Sequence, residues 1–455
     1  MDHQTDPYTK NASKQMNAQV SVFEKIFKLT ERKTNLRTEI IAGLTTFMTM
    51  SYIIFVNPVI LSDAGIPKEA AIAATIVASV IATLLFSLWA NMPVAIAPGM
   101  GLNAFFTYTV VLGKGLSWQT ALGAVFISGV VFLILTVSGI RQKLVEGVPV
   151  VLRSAIVVGI GLFIAFIGLK NAGIIVSNKT TFVALGNITS IGPVLALIGV
   201  VTASILMSRR IKGALVISIL FITILAMLFG IAKSPKGISD IISLSPPSLS
   251  ETFLAMDIKA ALKYGILSII FSFTIVELFD NLATLIGLTK KAGLMDEKGQ
   301  IENIDRALTA DALATMCSAT MGSTAMNAYI ENATGIAEGG RTGLTSLVVA
   351  GLFLLSLFLT PLVSLIPSVA TAPILILVGA LMLNEIKHIQ FDDLTDAVPV
   401  FLTIIMMPLT FSIAEGLAFG FISYTLLKVL TGRYKEVKPV VYFISAAFII
   451  NFIWG

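Results

Sequence analysis

The sequence predicts an all-α polytopic membrane protein. Fourteen transmembrane segments are expected as two inverted repeats of seven, with short extended stretches and half-helices in segments 3 and 10. Three observations carry this prediction. Of 455 residues, 56% are hydrophobic and 13% charged, whereas a soluble chain carries about 25% charged. The apolar residues fall in runs of roughly 16 to 24, and a hydrocarbon core needs about 20 helical residues. Basic residues gather in alternate loops, a topology signal. A large soluble helical protein would need polar outer faces on its helices, and these runs lack them.

Taken in order, residues 1–38 are polar and basic and lack the pattern of a signal peptide. Val22–Leu29 (VFEKIFKL) has the spacing of an amphipathic helix on the membrane surface. Apolar segments follow at 39–62, 69–90, 93–112, 118–140, 149–169, 191–207 and 213–232. After a polar excursion from Lys233 to Asp257 that contains Pro246 and Pro247, a second set covers 262–289, 307–322, 324–338, 342–366, 369–384, 396–412 and 415–431. Val440–Trp454 reads as either a further span or an interfacial helix. Basic residues such as Arg141 and Lys143, Arg209 and Arg210, Lys290 and Lys291, and Arg433 and Lys435 follow the even-numbered segments. The N-terminus is therefore expected in the cytoplasm, and an odd number of spans per half inverts the second half. A shift of 224 residues pairs Asn57 with Asn281 and Asn103-Ala104-Phe105 with Asn327-Ala328-Tyr329, a trace of the repeat.

Other classes find little support. The net charge of +5 is a topology signal here, so no nucleic-acid partner is expected. Cys317 stands alone, and His3 and His388 are far apart in sequence, so neither a disulfide framework nor a metal site is expected. Asp296–Arg306 lacks calcium-loop spacing, and Gly159-x-Gly161 has no strand or binding loop around it.

The chemistry concentrates in segments 3, 8 and 10. Segment 3 (MPVAIAPGMGLNAFF, 92–106) holds Pro93, Pro98, Gly99 and Gly101 where a helix should propagate, and segment 10 (GSTAMNAYIENATG, 322–335) is similarly interrupted. Pro lacks an N–H and Gly weakens helices, so each is expected to be an extended stretch leading into a half-helix. Such backbone at membrane depth belongs where protein buries it or it lines a cavity. Segment 8 places Glu277 and Asp280 on one helix face, with Thr274, Asn281 and Thr284 extending a polar stripe. Two such carboxyls are expected to share a proton. Glu331 is a third acid, where the second half-helix should begin. Glu338 and Arg341 read as a structural pair at the cytoplasmic end of segment 10, and Glu415 as a loop between two short spans.

Four stretches carry a resemblance: TTFMTMSYIIFVNP (45–58), APGMGLNAFF (97–106), LFDNLATLIG (278–287) and AYIE with GGRTG (328–343). They resemble the AzgA-like purine permeases, a branch of the nucleobase transporters with the UraA-type fold, and the likeness runs from Phe23 to Arg433. It implies proton-coupled uptake of adenine, guanine or hypoxanthine across the cell membrane, with no cofactor beyond the coupling proton. It also implies a core domain (39–140 and 262–366) moving against a gate domain (141–232 and 367–431). Residues 1–38 form a cytoplasmic tail, 233–261 an extracellular linker and 432–455 a C-terminal segment. Asn103, Glu277, Asp280 and Glu331 match the family's binding positions. Some relatives have Asn at the position of Glu277, and the common small residues after the segment 8 Asp are here Asn281-Leu282-Ala283.

Purine chemistry suits these residues. A purine is flat, neutral near pH 7 and rimmed by donors and acceptors. Carboxylates accept from its N–H groups, Asn103 can donate and accept, and Phe105 or Phe106 offers a stacking face. Tyr329 completes the expected substrate contacts, with Glu277 and Asp280 as proton-coupling residues. Three acids without a basic residue at membrane depth argue against an anionic substrate. A neutral base gains nothing directly from the membrane potential, so accumulation needs a coupled ion. An intramembrane aspartyl protease would need catalytic aspartates on two helices, and Asp280 reads as the lone mid-span aspartate. A channel would carry polar residues along whole helices. The expected partners are a purine base and the lipid bilayer, with a homodimer left open.

Overall fold

A computed structural model describes residues 22–265, 269–296 and 300–454. The chain is predominantly helical. Its first half comprises α1 (Leu36–Met50), α2 (Ile53–Asp63), α3 (Lys68–Leu85), β1 (Ile96–Pro98), α4 (Met100–Ala104), α5 (Trp118–Val137), α6 (Ile140–Gly147), α7 (Val150–Asn171), the hairpin β2 (Ile175–Asn178) and β3 (Phe182–Leu185), α8 (Ile191–Ser208) and α9 (Ala214–Leu228). The second half comprises α10 (Ile258–Gly265), α11 (Phe271–Lys291), α12 (Ile304–Met321), β4 (Met326–Ala328), α13 (Asn332–Ala337), α14 (Gly343–Ser356), α15 (Thr360–Leu365), α16 (Ser368–Met382), α17 (Leu394–Thr410), α18 (Ile413–Leu430) and α19 (Pro439–Trp454).

Among the described residues nine helices are long and apolar enough to cross a membrane, and four shorter apolar helices accompany them. The helix starts follow local chemistry. Asn35 and Ser117 accept from the N–H groups of Thr38 and Thr120, which satisfies donors that a helix start leaves free. The first apolar segment is broken at Ser51 and Tyr52, between α1 and α2. α4 continues as a nine-residue π-helix, Phe105–Gly113, a winding frequent at functional sites.

Both interruptions read from Pro and Gly are present as strands. β1 pairs antiparallel with β4 in the register Ile96↔Ala328, Ala97↔Asn327, Pro98↔Met326. Gly322, with φ +97, turns the chain from α12 toward β4, and a Cβ there would lie 2.2 Å from the Thr252 Cβ. The 224-residue match does not survive at this place. Asn103 lies in a helix and Asn327 in a strand, and the strand centres, Ala97 and Asn327, stand opposite one another. The likeness is one of residue type, without equivalence of local structure.

Packing gathers the helices around this crossing. α12 lies against α5 and α3, α14 against α1 and α3, and α13 against α1. α7 packs on α16 and α17, and α8 on α9 and α16. Residues 440–454, which the sequence left open, are the helix α19. It packs on α18 through Phe419–Phe452 and Phe421–Phe448 ring contacts and a Thr425–Ser445 hydrogen bond. The amphipathic N-terminal stretch uses its apolar face on the protein, with Phe27 and Leu29 buried against Leu344. α10 begins inside the stretch expected as linker. Glu415 lies in the first turn of α18, and the bend falls earlier, at Phe411 and Ser412.

A clasp closes the C-terminal end. Lys428 is 1% exposed and meets Asp396 at 2.9 Å and Glu436 at 3.0 Å. Arg433 bonds Glu436 and Asp393, and Asp393 also caps α17 by accepting from the Thr395 N–H. The Arg433 guanidinium and the Thr395 bonds hold the Asp393 carboxyl well below the usual carboxylate range. A depressed folded-state value stabilises the fold above the unfolded value of about 4, and the contribution fades as pH falls below it. Asp393→Asn is therefore expected to lower the melting temperature at pH 7, by an amount that shrinks below about pH 4. A melting series of the solubilised protein over that range checks this.

Candidate functional site

The site is built on the β1–β4 crossing. Both strands are fully buried, and Gly99, just past β1, faces the Asn327 side chain. A Cβ on Gly99 would stand 2.7 Å from the Asn327 Nδ2, so any larger residue would have to displace the Asn327 side chain. Three side chains brace the crossing from the far half of the sequence. Thr324 donates to the Asn103 Oδ1, Tyr329 donates to the Pro98 carbonyl, and the Asn332 amide bonds both the N–H and the carbonyl of Ala95.

In an antiparallel ladder alternate residues turn their N–H groups away from the partner strand. The groups that β4 turns outward are met by two rungs between α11 and α12. The Met326 N–H reaches the Thr315 Oγ1 at 3.2 Å, and Thr315 donates to the Glu277 Oε1 at 2.6 Å. One helical turn along, the Ala328 N–H donates to the Asn281 Oδ1 at 2.8 Å, and Asn281 donates to the Asp311 Oδ1. Glu277 and Asn281 are i, i+4 on α11, as are Asp311 and Thr315 on α12, so each helix offers both groups from one face. Asp311 also receives Arg141 from α6, at 2.6 Å. Glu277 is completely buried, and its Oε2 has no hydrogen-bond partner among the described residues. That atom can take a proton or accept from a ligand.

The structure thus joins several of the expected residues and separates others. Glu331 stands at the start of α13, where the Tyr52 hydroxyl donates to its Oε1 at 2.7 Å. Glu331 makes no side-chain bond to the N–H groups of its own helix, so it is not a helix cap. α13 is only six residues long. Tyr329 lies beside Tyr52, ring centroids 6.3 Å apart. Asn103 is buried as a brace between the halves. Phe105 packs edge-on against Phe273 at 4.9 Å, and Phe106 is fully buried. The Asp280 side chain lies outside the described residues.

Three readings need correction. Arg141, taken as a loop charge marking topology, is 1% exposed and paired with a buried acid, so a basic residue does reach the polar interior. Asp311 is a second aspartate within a helix, fully buried in α12, so Asp280 is not alone. Glu338 and Arg341 do not pair. Glu338 meets Lys212 at 3.0 Å, while Arg341 donates to the carbonyls of Ile336 and Gly340. Glu39 of α1, which the sequence does not single out, is buried and accepts from the N–H groups of Arg341, Thr342 and Thr345 at the start of α14. The only sequence signal for Asp311 and Glu39 was an acid near the edge of an apolar run, and loop positions give the same signal.

Comparison with known proteins places this architecture. The profile of the Permease family matches residues 37–419. Permease MJ0326 of Methanocaldococcus jannaschii is 52% identical over 95% of this chain and 98% of its own. Adenine permease AdeP of Escherichia coli is 43% identical over 95% and 96%. Guanine/hypoxanthine permease PbuO of Bacillus subtilis is 42% identical over 94% and 99%. Among solved structures, the transmembrane domain of the cyanobacterial bicarbonate transporter BicA superposes with a TM-score of 0.63 at 17% identity, over 84% of this chain and 97% of its own. That likeness speaks for the fold alone. The fold, the apolar helices and these matches together make the chain an integral membrane protein of the Permease family, as its resemblance to the AzgA-like purine permeases implied.

Proposed function

We propose that this protein carries purine bases across the cell membrane by proton-coupled alternating access. The observation that carries the reading is similarity over nearly the whole chain to permeases named for adenine and for guanine/hypoxanthine, at 43% and 42% identity. The crossing supports the reading. Glu331, bonded by Tyr52 beside Tyr329, and Glu277, whose Oε2 is unpaired among the described residues, are acceptors of the kind a flat molecule edged with N–H groups would use, and Phe105 packed on Phe273 adds aromatic surface. Arg141 does not argue for an anion, because Asp311 neutralises it.

In this reading fourteen segments form two inverted repeats, and substrate binds at their interface near mid-membrane, a recurrent transporter architecture. Segments 1–4 and 8–11 act as the core. Segments 5–7 and 12–14 act as the gate, consistent with the packing of α7 on α16 and α17. The N-terminus faces the cytoplasm, and the protein works without a resident cofactor, alone or as a homodimer. Glu277 carries the proton, with Asn103, Asp280 and Glu331 holding the purine and Phe105, Phe106 and Tyr329 shaping its surroundings. The test is uptake of labelled adenine and guanine in a transport-null strain, competed by hypoxanthine, xanthine and uracil, with and without a protonophore. Purine-specific, protonophore-sensitive accumulation is expected. Uptake that uracil alone suppresses, or that survives the protonophore, would overturn the respective half of the reading.

A further inference from the structure

Arg141 and Asp311 are both fully buried and joined at 2.6 Å, and nothing in the proposed cycle uses them. Their surroundings link them to it. The Arg141 guanidinium lies 3.8 Å from the centre of the Phe132 ring and donates to the Leu308 carbonyl. Asp311 accepts from Asn281, which holds the Ala328 N–H of β4, while Thr315, one turn along the same helix, holds Glu277 and the Met326 N–H. Two buried acids therefore stand on adjacent rungs of one ladder, and the Arg141 guanidinium faces one of them.

We propose that Arg141 is a positioning residue for proton coupling. It keeps Asp311 ionised, so that the travelling proton belongs to Glu277 alone and β4 stays in register as that proton comes and goes. Asp311 is then an acid whose charge Glu277 responds to. The physical reason is that a buried charge must be balanced. With Arg141 removed, Asp311 and Glu277 compete for one proton. With Asp311 removed, the unbalanced guanidinium holds Glu277 ionised. With both neutralised, Glu277 again titrates without a charged neighbour in the ladder. This inference rests on the proton-coupled purine reading.

The test uses the full chain in proteoliposomes and measures adenine and guanine counterflow beside accumulation driven by an acid-outside gradient. Arg141→Gln and Asp311→Asn are each expected to lower gradient-driven accumulation at least 10-fold and to flatten its pH profile. The double variant is expected to recover the pH dependence. Arg141→Lys, which keeps the charge, should retain it and serves where Arg141→Gln fails to insert. A wild-type pH profile in either single variant would overturn the proposal. So would an inserted double variant no better than the worse single one, since a packing role predicts cumulative damage. If the wild-type protein carries neither purine, the substrate reading fails on its own, and melting of the solubilised variants judges the pair. A double variant more stable than both singles supports charge balance, and one less stable than both overturns it.

Discussion

Glu331→Gln is expected to abolish or strongly weaken purine binding while leaving insertion intact. The side chain meets Tyr52, at the α1–α2 junction, through one bond in which the Tyr52 hydroxyl donates to the Glu331 Oε1 at 2.7 Å, and a glutamine carbonyl can accept that same bond. The fold therefore loses little. What is lost is the charge, and with it the stronger acceptor for a purine N–H. Hydrogen bonds to charged groups contribute about 1.5–3 kcal/mol, which corresponds to a loss of roughly 10- to 150-fold in affinity. The amide also brings an N–H₂ group where a purine donor would need an acceptor. Equilibrium binding of labelled adenine and guanine to the solubilised, monodisperse variant measures this. Affinity within a factor of about two of wild type would remove Glu331 from the site.

The second large effect is a separation of exchange from accumulation. Glu277→Gln should retain purine counterflow and lose concentrative uptake under an acid-outside gradient. Glutamine is nearly isosteric, and its carbonyl can accept from Thr315 as the carboxylate does, so the rung that steadies Met326 survives. The variant cannot load or release a proton, and its steady-state accumulation ratio should fall to about 1, the value for an uncoupled neutral solute. Counterflow and gradient-driven uptake measured on the same vesicles decide it. If the variant still concentrates purine, the proton travels on another acid, and Asp311 and Glu331 become the groups to test. Loss of both activities would instead assign Glu277 to binding.

Much of the architecture was legible because it is governed by local chemistry. Hydropathy acts along a single helix, so the positions of the apolar segments could be read from runs of residues. Pro and Gly cluster at Pro93, Pro98, Gly99 and Gly101 and recur at Gly322, and such clusters weaken a helix more than the lone Pro58 or Pro373 that sit inside helices, so the extended stretches of segments 3 and 10 could be read as well. The same locality explains the failures. The Asn-Ala-aromatic match at a shift of 224 compared residue types without knowing that one copy is helical and the other extended. Arg141 looked like any basic residue after a span, and Asp311 like any acid in a less apolar one.

What the tertiary structure decided is who meets whom. Arg141 finds Asp311 across 170 residues, Asn103 finds Thr324 across 221 and Tyr52 finds Glu331 across 279. Glu338 takes Lys212 although Arg341 is three residues away. A buried polar group must find a partner, so composition alone guarantees that such pairs exist. Which partner it finds depends on helix packing and on the strand register at the crossing, and these are set by contacts between segments that no local pattern records. Membrane class and the apolar helices could therefore be read from the sequence. The ladder that ties Glu277 to Asp311 and Arg141 exists only because α6, α11, α12 and β4 converge.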